Sequence, residues 1–358
     1  MKRMLLGALC LLLLAARPFS ALAEQEEDDD EAGGLPAFSA ADAAQALRAA
    51  KRWQIDGQNQ LLWNYDYTQN GAVDGTDAKA ALWSAAGKIT DFVKFVERIS
   101  TGIYGEKDFE HFRYNGVYDD QQGNYESDSV SVHVTRQEAY KSTYFVADIY
   151  VQDVRCIATA IADPGTNRLV QTTAAHNDAV LAVNGDYYTQ RNMGPIFRNG
   201  ELLVPGISNY WDICIMTRSG ELVTFPYKTL TQERLDALDV YQSWVFGPIL
   251  LDEEGKAAEK FRTAVANSNP RTVLGYYEPG HYCFICVDGR QGQYSVGMTM
   301  RELADICEQL GLKAAYNLDG GQSAAMATRY GLVSKPYYGG RPVSDIVYVR
   351  ELPDELVA

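Results

Sequence analysis

From about residue 104 onward, the chain is a series of short apolar runs separated by turn residues, and this pattern limits the folds open to it. Two longer stretches, residues 168–178 and 300–310, have helical periodicity. The runs and helical stretches interleave without regular βαβ spacing, so we expect an α+β fold with mixed or antiparallel sheets and flanking helices. The predicted strands cover residues 129–134, 144–151, 179–183, 212–217 and 281–287.

Two local signals indicate where elements begin and turn. Thr299, with Glu302 three residues later, forms a capping-box pattern at the start of the second predicted helix. Asn199 and Gly200 both tolerate positive φ, so the sequence around them predicts a β-hairpin with a two-residue turn.

The N-terminus has the pattern of an export signal. A positively charged start precedes an apolar run over residues 4–16, and Ala-Leu-Ala at 21–23 matches a cleavage site. The run is short for a helix that spans a bilayer. We therefore predict a signal peptide over residues 1–23. The protein is expected to be secreted or extracytoplasmic, in the cell envelope, with no membrane span after signal cleavage.

Acidic residues dominate the stretch that follows. Residues 24–37 carry a run of Asp and Glu whose mutual repulsion predicts a disordered spacer. The whole chain has a formal net charge of -15, which argues against nucleic acid or an anionic membrane as a partner.

Residues 38–98 contain an internal repeat, in which the stretch 39–47 recurs as 74–82. Before the second copy, oxygen-bearing residues have the spacing of an EF-hand-type calcium loop, with Gly71 at the sharp turn. The pair of loop–helix repeats resembles a dockerin, although the first copy lacks the ligands. The resemblance implies a small all-α module with one structural Ca²⁺ and a cohesin-type partner. The predicted calcium ligands are Asp66, Thr68, Asn70, Ala72, Asp74 and Asp77.

Cys283 and Cys286 have the spacing of a redox or metal pair, but they lie in a predicted strand. Residues three apart on a strand point to opposite faces, so the two thiols should diverge. We therefore expect them to be buried packing residues, as we do for Cys156, Cys214 and Cys307.

Four polar clusters stand at the ends of apolar strands, where a rigid scaffold presents functional groups. Three arginines in two of these clusters suit bidentate binding of phosphate. The backbone N–H groups of Gly320 and Gly321 suit an anion-binding nest. Aspartates supply carboxylates for acid–base work or for stabilising a positively charged, sugar-like transition state. The clusters cover residues 184–188, 269–272 with 287–290, 316–323 and 340–345.

Together with their flanking residues, these clusters resemble the phosphodiester glycosidase family typified by the lysosomal uncovering enzyme. The resemblance covers roughly residues 105–351 and implies a glycosidase domain over 105–356. It implies hydrolysis of the glycosidic bond of sugar-1-phosphodiesters in cell-envelope or extracellular glycans, with release of free sugar and a phosphomonoester. The matching stretches are 182–188, 196–200, 242–248, 269–272, 287–290, 297–299, 317–321 and 343–345.

Within this interpretation Asp186, Asp288 and Asp319 are the predicted catalytic residues. Asp319 and Asp186 serve as acid–base or transition-state-stabilising groups, and Asp288 orients Arg271 or Arg290. Gln322 stands where the family usually has a glycine, which would impair the site if the backbone there needed positive φ. The predicted substrate-binding residues are Asn184, Arg198, Arg271, Arg290, Asn317, Gly320, Gly321, Ser323, Arg341 and Asp345.

Two other functions fit parts of the sequence. Gly321-Gln322-Ser323 after a strand imitates the nucleophile elbow of a serine hydrolase, but no histidine follows His281 to complete a triad in that fold's order. A non-catalytic envelope carbohydrate-binding or exopolysaccharide assembly protein could use the same arginines and the 23 tyrosines to hold an anionic glycan. A catalytic metal also stays open, since the Asp and Asn clusters would serve one equally well.

Overall fold

The computed structural model describes residues 44–46, 81, 111–113, 116–162, 166–191 and 193–352. The predicted signal peptide, the acidic spacer and all six calcium-loop residues lie outside these ranges. Apart from residues 44–46 and 81, so does the predicted dockerin-like module. Those features therefore stay predictions.

The described part of the chain is mainly β-sheet with few helices. The helices are α1 (Val170–His176), α2 (Tyr188–Arg191), α3 (Gln232–Asp236) and α4 (Met300–Gln309). The strands are β1 (Tyr118–Asp119), β2 (Tyr125–Glu126), β3 (Val130–Ala139), β4 (Ser142–Val151), β5 (Ile157–Ile161), β6 (Leu181–Asn184), β7 (Ile196–Arg198), β8 (Glu201–Val204), β9 (Ile213–Thr217), β10 (Leu222–Phe225), β11 (Val240–Val245), β12 (Arg271–Glu278), β13 (His281–Val287), β14 (Ala314–Asn317), β15 (Met326–Thr328), β16 (Gly331–Leu332) and β17 (Asp345–Val349).

These strands form four sheets. The largest has seven strands in the order β1-β2-β3-β4-β13-β12-β14, and a five-stranded sheet has the order β16-β15-β6-β17-β5. A three-stranded sheet, β10-β9-β11, and the β7-β8 hairpin complete the set. Every pairing between these strands is antiparallel, which narrows the expected mixed or antiparallel sheets to the antiparallel kind.

The main core lies between the seven-stranded sheet and the two smaller sheets. Phe284 and Tyr316 enter it from the large sheet, Trp244 from the three-stranded sheet and Leu181 from the five-stranded one. The alternation of side chains along a strand leaves each sheet a second apolar face. Helix α4 covers that face of the seven-stranded sheet, α1 that of the five-stranded sheet, and α3 that of the three-stranded sheet.

The local sequence signals are confirmed. Asn199 and Gly200 have φ of 53° and 86° and join β7 to β8, as a two-residue turn of this kind requires. Thr299 and Glu302 form the predicted capping box at the start of α4. The predicted strands and helices are all present, with ends displaced by a few residues, and β3 continues to Ala139.

The cysteines are packing residues, as expected. Cys283 faces the core beneath α4, whereas Cys286 faces the main core on the other side of the same sheet. Burial raises the pKa of the Cys283 thiol well above its usual value. All five cysteines of the described residues are buried and free of disulfides.

Two negative findings apply to the described ranges alone. None of their helices is long and apolar enough to cross a membrane. They also contain no group of three or more His, Cys, Asp and Glu side chains arranged to hold a metal ion.

The capping box gives a test of how α4 is held on the large sheet. Thr299→Ala removes the acceptor for the Glu302 N–H, so we expect the free energy of unfolding to fall by about 1 kcal/mol. Urea unfolding followed by circular dichroism measures this change. Thr189→Ala, at an exposed threonine of α2, is the matched control and should change stability little. Equal losses in the two variants would contradict the assignment.

Candidate active site

The predicted polar clusters come together at one edge of the two larger sheets. Arg271 begins β12 beside the end of β13, and β14 ends next to them at Asn317. In the five-stranded sheet, Asn184 ends β6 where β17 begins, and these two strands pair there. Antiparallel neighbours bring the end of one strand to the start of the next, which explains how loops distant in sequence share this edge.

Asn184 connects the two sheets at this edge. Its side chain is fully buried, and its Nδ2 donates to the carbonyl of Asp319 at 2.7 Å. Its Oδ1 accepts from Thr272 Oγ1 at 2.7 Å and from the Ala325 N–H at 3.4 Å. Because these bonds occupy the amide, Asn184 fixes the Asp319 carbonyl relative to Thr272 and Ala325. In this structure the amide is therefore a positioning group and is not placed to bind substrate, the role predicted for it.

A buried cluster of one arginine and two aspartates lies next to Asn184 on the interior side of this edge. Arg198 Nη2 donates to Asp186 Oδ1 at 2.8 Å and to Asp345 Oδ2 at 2.9 Å, and all three side chains are at most 2% exposed. Asp186 also accepts from the Val245 N–H at 2.8 Å, which ties the cluster to the three-stranded sheet. The Asp345 carboxylate lies against Gly185, where an added Cβ would come within 2.3 Å of it. Burial removes Asp186, Arg198 and Asp345 from direct substrate contact, so their predicted roles are corrected.

The cluster carries two carboxyls for one guanidinium. The pKa of Asp345 is raised to about 7, because burial and the negative charge of Asp186 raise it by more than Arg198 lowers it. A dry site holding one positive and two negative charges is costly, and a proton on Asp345 restores neutrality.

Asp319 is the least buried carboxylate of the predicted clusters. Its side chain is 12% exposed, and its Oδ2 accepts from Arg341 Nη2 at 2.7 Å. Arg341, 39% exposed, also donates from Nε to Ser323 Oγ at 2.5 Å, and its guanidinium lies 5.1 Å from the centre of the Tyr187 ring. An arginine, a carboxylate and a hydroxyl therefore meet beside the 3-10 helix Gly321–Ser323.

Gln322 fits this turn without strain. Positive φ occurs at Gly321, at 64°, and not at Gln322. The Gln322 side chain donates to the Gly340 carbonyl at 3.2 Å, and its own carbonyl accepts from the Arg341 N–H at 3.1 Å. The replacement of the family's usual glycine is therefore compatible with the backbone and connects the turn to the Arg341 loop.

Arg290 borders the same turn from the other side. It adopts positive φ, 58°, and its Nε and Nη2 donate to Asn269 Oδ1 at 3.0 and 2.7 Å. A Cβ on Gly321 would lie 3.2 Å from the Arg290 guanidinium, so glycine permits the close approach. The guanidinium also lies 5.9 Å from the centre of the Tyr337 ring. No carboxylate among the described residues lies within 4.0 Å of it.

Arg271 has a different position from the one predicted. Its Nε donates to the Met298 carbonyl at 3.0 Å, and its Nη2 donates to the carbonyls of Val265 and Asn267 at 3.0 and 2.6 Å. Burial, together with the nearby charge of Arg290, lowers the pKa of Arg271 to about 10. Arg271 therefore fixes the loop that carries Asn269 and is not free to clamp a phosphate.

Asp288 forms its hydrogen bonds with groups other than the arginines it was expected to orient. Its carboxylate accepts from Tyr294 Oη at 2.8 Å and from the Lys335 N–H at 3.0 Å. Burial raises the pKa of Asp288. Because Asn269 is the partner of Arg290, the predicted orienting role of Asp288 is wrong, and the side chain instead joins two loops.

The glycine turn is not an anion-binding nest. The Gly320 N–H donates to Asp319 Oδ1 at 3.0 Å, and the Gly321 N–H donates to the Pro270 carbonyl at 2.9 Å, so both predicted donors are used inside the protein. Asn317 is buried and donates to the Gly247 carbonyl at 2.9 Å, while its Oδ1 has no hydrogen-bond partner in the described part of the chain.

Three aromatic residues of this edge were not predicted as site residues. Tyr187 and Tyr337 lie beside Arg341 and Arg290, and Tyr338 is 82% exposed with φ of 51°. Their adjacency to polar clusters was a signal in the sequence, but tyrosine is common throughout this chain and the signal was not specific.

The residues of this edge lie in a stretch that is similar to a known protein family. Residues 177–350 match the family described as phosphodiester glycosidase, and this stretch contains every residue predicted for the glycosidase site. The match confirms the family resemblance over that part of the chain. A search of curated proteins finds no match.

Solved structures are similar at low identity. The zebrafish N-acetylglucosamine-1-phosphodiester alpha-N-acetylglucosaminidase catalytic domain, auto-inhibited by its pro-peptide, is 21% identical with a TM-score of 0.49, over 62% of this chain and 83% of that one. A hypothetical protein from Synechocystis is 16% identical with a TM-score of 0.46, over 63% of each chain. A Burkholderia pseudomallei protein classed as exported is 14% identical with a TM-score of 0.41, over 58% of this chain and 74% of that one.

The raised pKa of Asp345 predicts a pH dependence of stability. The folded protein keeps this proton up to about pH 7, whereas the unfolded chain loses it near pH 4, so stability falls as the pH rises through that interval. Asp345→Asn removes the titrating group and should flatten this fall. Urea unfolding of both proteins at pH 5 and pH 7.5 tests the difference, and parallel pH curves would contradict it.

Tyr338 adopts a left-handed conformation that disfavours any residue with a Cβ. Tyr338→Gly should therefore be more stable than Tyr338→Ala by about 1 kcal/mol, although both variants lose the ring. Thermal unfolding followed by circular dichroism compares the two. A glycine variant no more stable than the alanine variant would show that the backbone at this position is not strained.

Proposed function

We propose that this protein hydrolyses the glycosidic bond of sugar-1-phosphodiesters, with Asp319 as the catalytic carboxylate and Arg341 and Arg290 as the phosphate-binding residues. One observation carries the proposal. Within the stretch that matches the phosphodiester glycosidase family, two exposed arginines border one turn, and the most accessible carboxylate of the cluster lies beside it.

Binding of the phosphodiester follows from the charges at this turn. Arg290 has an amide oxygen and a tyrosine ring as neighbours but no carboxylate, so its charge is available to an anion. Arg341 shares its guanidinium between Asp319 and Ser323 and can turn one donor edge toward a phosphate oxygen. The buried Ser323 hydroxyl accepts from Arg341 and so positions that guanidinium instead of contacting the phosphate itself. The predicted contacts of Arg290 and Arg341 with substrate are kept in this proposal.

The reaction breaks the bond between C1 of the sugar and the phosphate oxygen, and the electron pair leaves with that oxygen. A phosphomonoester is a weakly basic leaving group, so neutralising its charge matters more than protonating it, and the two arginines supply this. Asp319 accepts a proton from the water that attacks C1, and its negative charge stabilises the positive charge that develops on the sugar ring. The products are free sugar and a phosphomonoester.

The buried residues act as positioning residues. Asn184 holds the Asp319 backbone, and Arg198 holds Asp186 and Asp345 behind it. Arg271 fixes the loop whose Asn269 orients Arg290. Placing the reacting groups on such a rigid framework is what makes electrostatic stabilisation effective, because the groups need not reorganise during the reaction. Tyr187 and Tyr338 offer aromatic faces for the sugar rings.

The cellular setting belongs to the same proposal. An export signal at residues 1–23 would deliver the enzyme to phosphate-linked glycans outside the cytoplasm. The calcium loop at residues 66–77 and its cohesin-type partner remain proposals that calcium titration of the full chain would test.

A non-catalytic glycan-binding protein is the alternative, since the same arginines could hold an anionic glycan without cleaving it.

Phosphorus NMR of the full chain with a sugar-1-phospho-6-sugar diester tests the proposal. We expect conversion to sugar 6-phosphate and free sugar, and a loss of roughly 100-fold or more in kcat for Asp319→Asn and for Arg341→Met. Asp305→Asn and Arg301→Met alter a surface ion pair on α4 and serve as matched controls with unchanged turnover.

Other outcomes of this experiment would indicate a different function. Sugar 1-phosphate would indicate attack at phosphorus, as by an ordinary phosphodiesterase. Binding of the diester without turnover would favour the non-catalytic alternative.

A further inference from the structure

Two exposed tyrosines contact an arginine in the loops at one end of the three-stranded sheet. The Arg262 guanidinium lies 3.5 Å from the centre of the Tyr227 ring and 5.1 Å from that of Tyr210. Tyr210 is 58% exposed and Tyr227 is 41% exposed. Arginine over an aromatic face is held by attraction to the ring's negative face, so these contacts orient the guanidinium without neutralising its charge.

The charge of this cluster is unbalanced. Neither Arg262 nor Lys228, whose ammonium lies 5.6 Å from the centre of the Tyr227 ring, has a carboxylate within 4.0 Å among the described residues. The nearby Asp212 is buried, and its two oxygens accept from the N–H groups of Tyr227 and Ile249. In a chain of net charge -15, two unpaired cations on two exposed tyrosine rings form an unusual local surface.

The cluster lies at the same end of the three-stranded sheet as the buried Asp186. Ile213 pairs with Phe225 on one side and with Val245 on the other, and the Val245 N–H donates to Asp186. Phe225 and Val245 are therefore two strand spacings apart, about 10 Å. Tyr227 follows Phe225 by two residues, and its N–H donates to Asp212, which lies against Gly247. The Gly247 carbonyl accepts from Asn317, two residues before Asp319, so one extended glycan could reach both the cluster and the proposed active site.

We propose that Tyr210, Tyr227 and Arg262 form an accessory subsite for a neighbouring unit of a phosphate-linked glycan. The exposed Tyr210 ring stacks on the apolar face of a sugar. Arg262, which Tyr227 holds in place and which has Lys228 beside it, pairs with the phosphate that joins this sugar to the next. This subsite rests on the proposed function for the kind of glycan it receives. It adds that the substrate is a polymer held through more than one repeating unit.

Binding of a non-cleavable probe tests the subsite separately from turnover. The probe is a hexose trimer joined by two phosphonate links, in which a methylene group replaces each anomeric oxygen. By calorimetry with the full chain in 50 mM NaCl, we expect Arg262→Ala and Tyr227→Ala each to weaken binding about tenfold. Arg301→Ala, at an arginine paired with Asp305, is the matched control and should bind like wild type.

The anionic nature of the ligand has its own test. An uncharged hexose trimer of the same length should bind more weakly than the probe and should be insensitive to Arg262→Ala. Raising the salt to 500 mM should weaken binding of the charged trimer only. Equal binding of the two trimers, or no effect of Arg262→Ala on the charged one, would overturn the proposal.

Failure of the subsite and failure of the proposed enzyme are distinguishable. If the subsite exists, Arg262→Ala leaves cleavage of a single diester unchanged and raises KM for a cleavable trimer. If no diester is cleaved at all, the proposed activity fails while the calorimetric result still decides the subsite. Arg262→Gln, which keeps most of the side-chain length, confirms that a loss is not caused by misfolding, as does an unchanged thermal unfolding curve.

Discussion

The buried amide of Asn184 is the contact on which the arrangement of this edge depends. It bonds to the seven-stranded sheet through Thr272, to the loop after β14 through the Asp319 carbonyl, and to the start of β15 through Ala325. An amide can do this because it offers both donors and acceptors in one plane. Loss of any one partner would leave a polar atom unsatisfied in a buried site, so the three segments keep a single relative position.

The polar residues around this amide are either buried or in contact with solvent. The buried ones, including Arg198 and Arg271, donate hydrogen bonds to protein acceptors and support the loops. The residues on the solvent side keep some contact with solvent; they are Asp319, Arg341 and Arg290. A positively charged front next to a dry, nearly neutral interior favours an anionic ligand at the surface, because an anion is stabilised there without being fully desolvated.

Much of the local structure could be predicted from the sequence, because local chemistry determines it. The turn at Asn199 and Gly200 needs positive φ, the capping box of α4 needs only neighbours three residues apart, and the thiols of Cys283 and Cys286 diverge by strand geometry alone. The family resemblance also identified strand ends that the structure brings together at one edge. The roles of Arg271 and Asp288 could not be predicted, because their partners are backbone groups of loops distant in sequence.

The sequence by itself determined the five predicted strands, the hairpin at Asn199 and Gly200 and two of the helices, as well as the strand ends that carry polar residues and the arginines at those ends. Only the tertiary structure decided which arginine is free and which carboxylate is accessible, since both depend on what lies opposite each side chain. The sequence does not distinguish Arg271, Arg290 and Arg341. In the structure Arg271 is buried and donates to backbone carbonyls, whereas Arg290 and Arg341 lie beside a glycine-containing turn near solvent. The physical reason is that desolvation and hydrogen-bond partners are set by packing between distant segments, which no local pattern records.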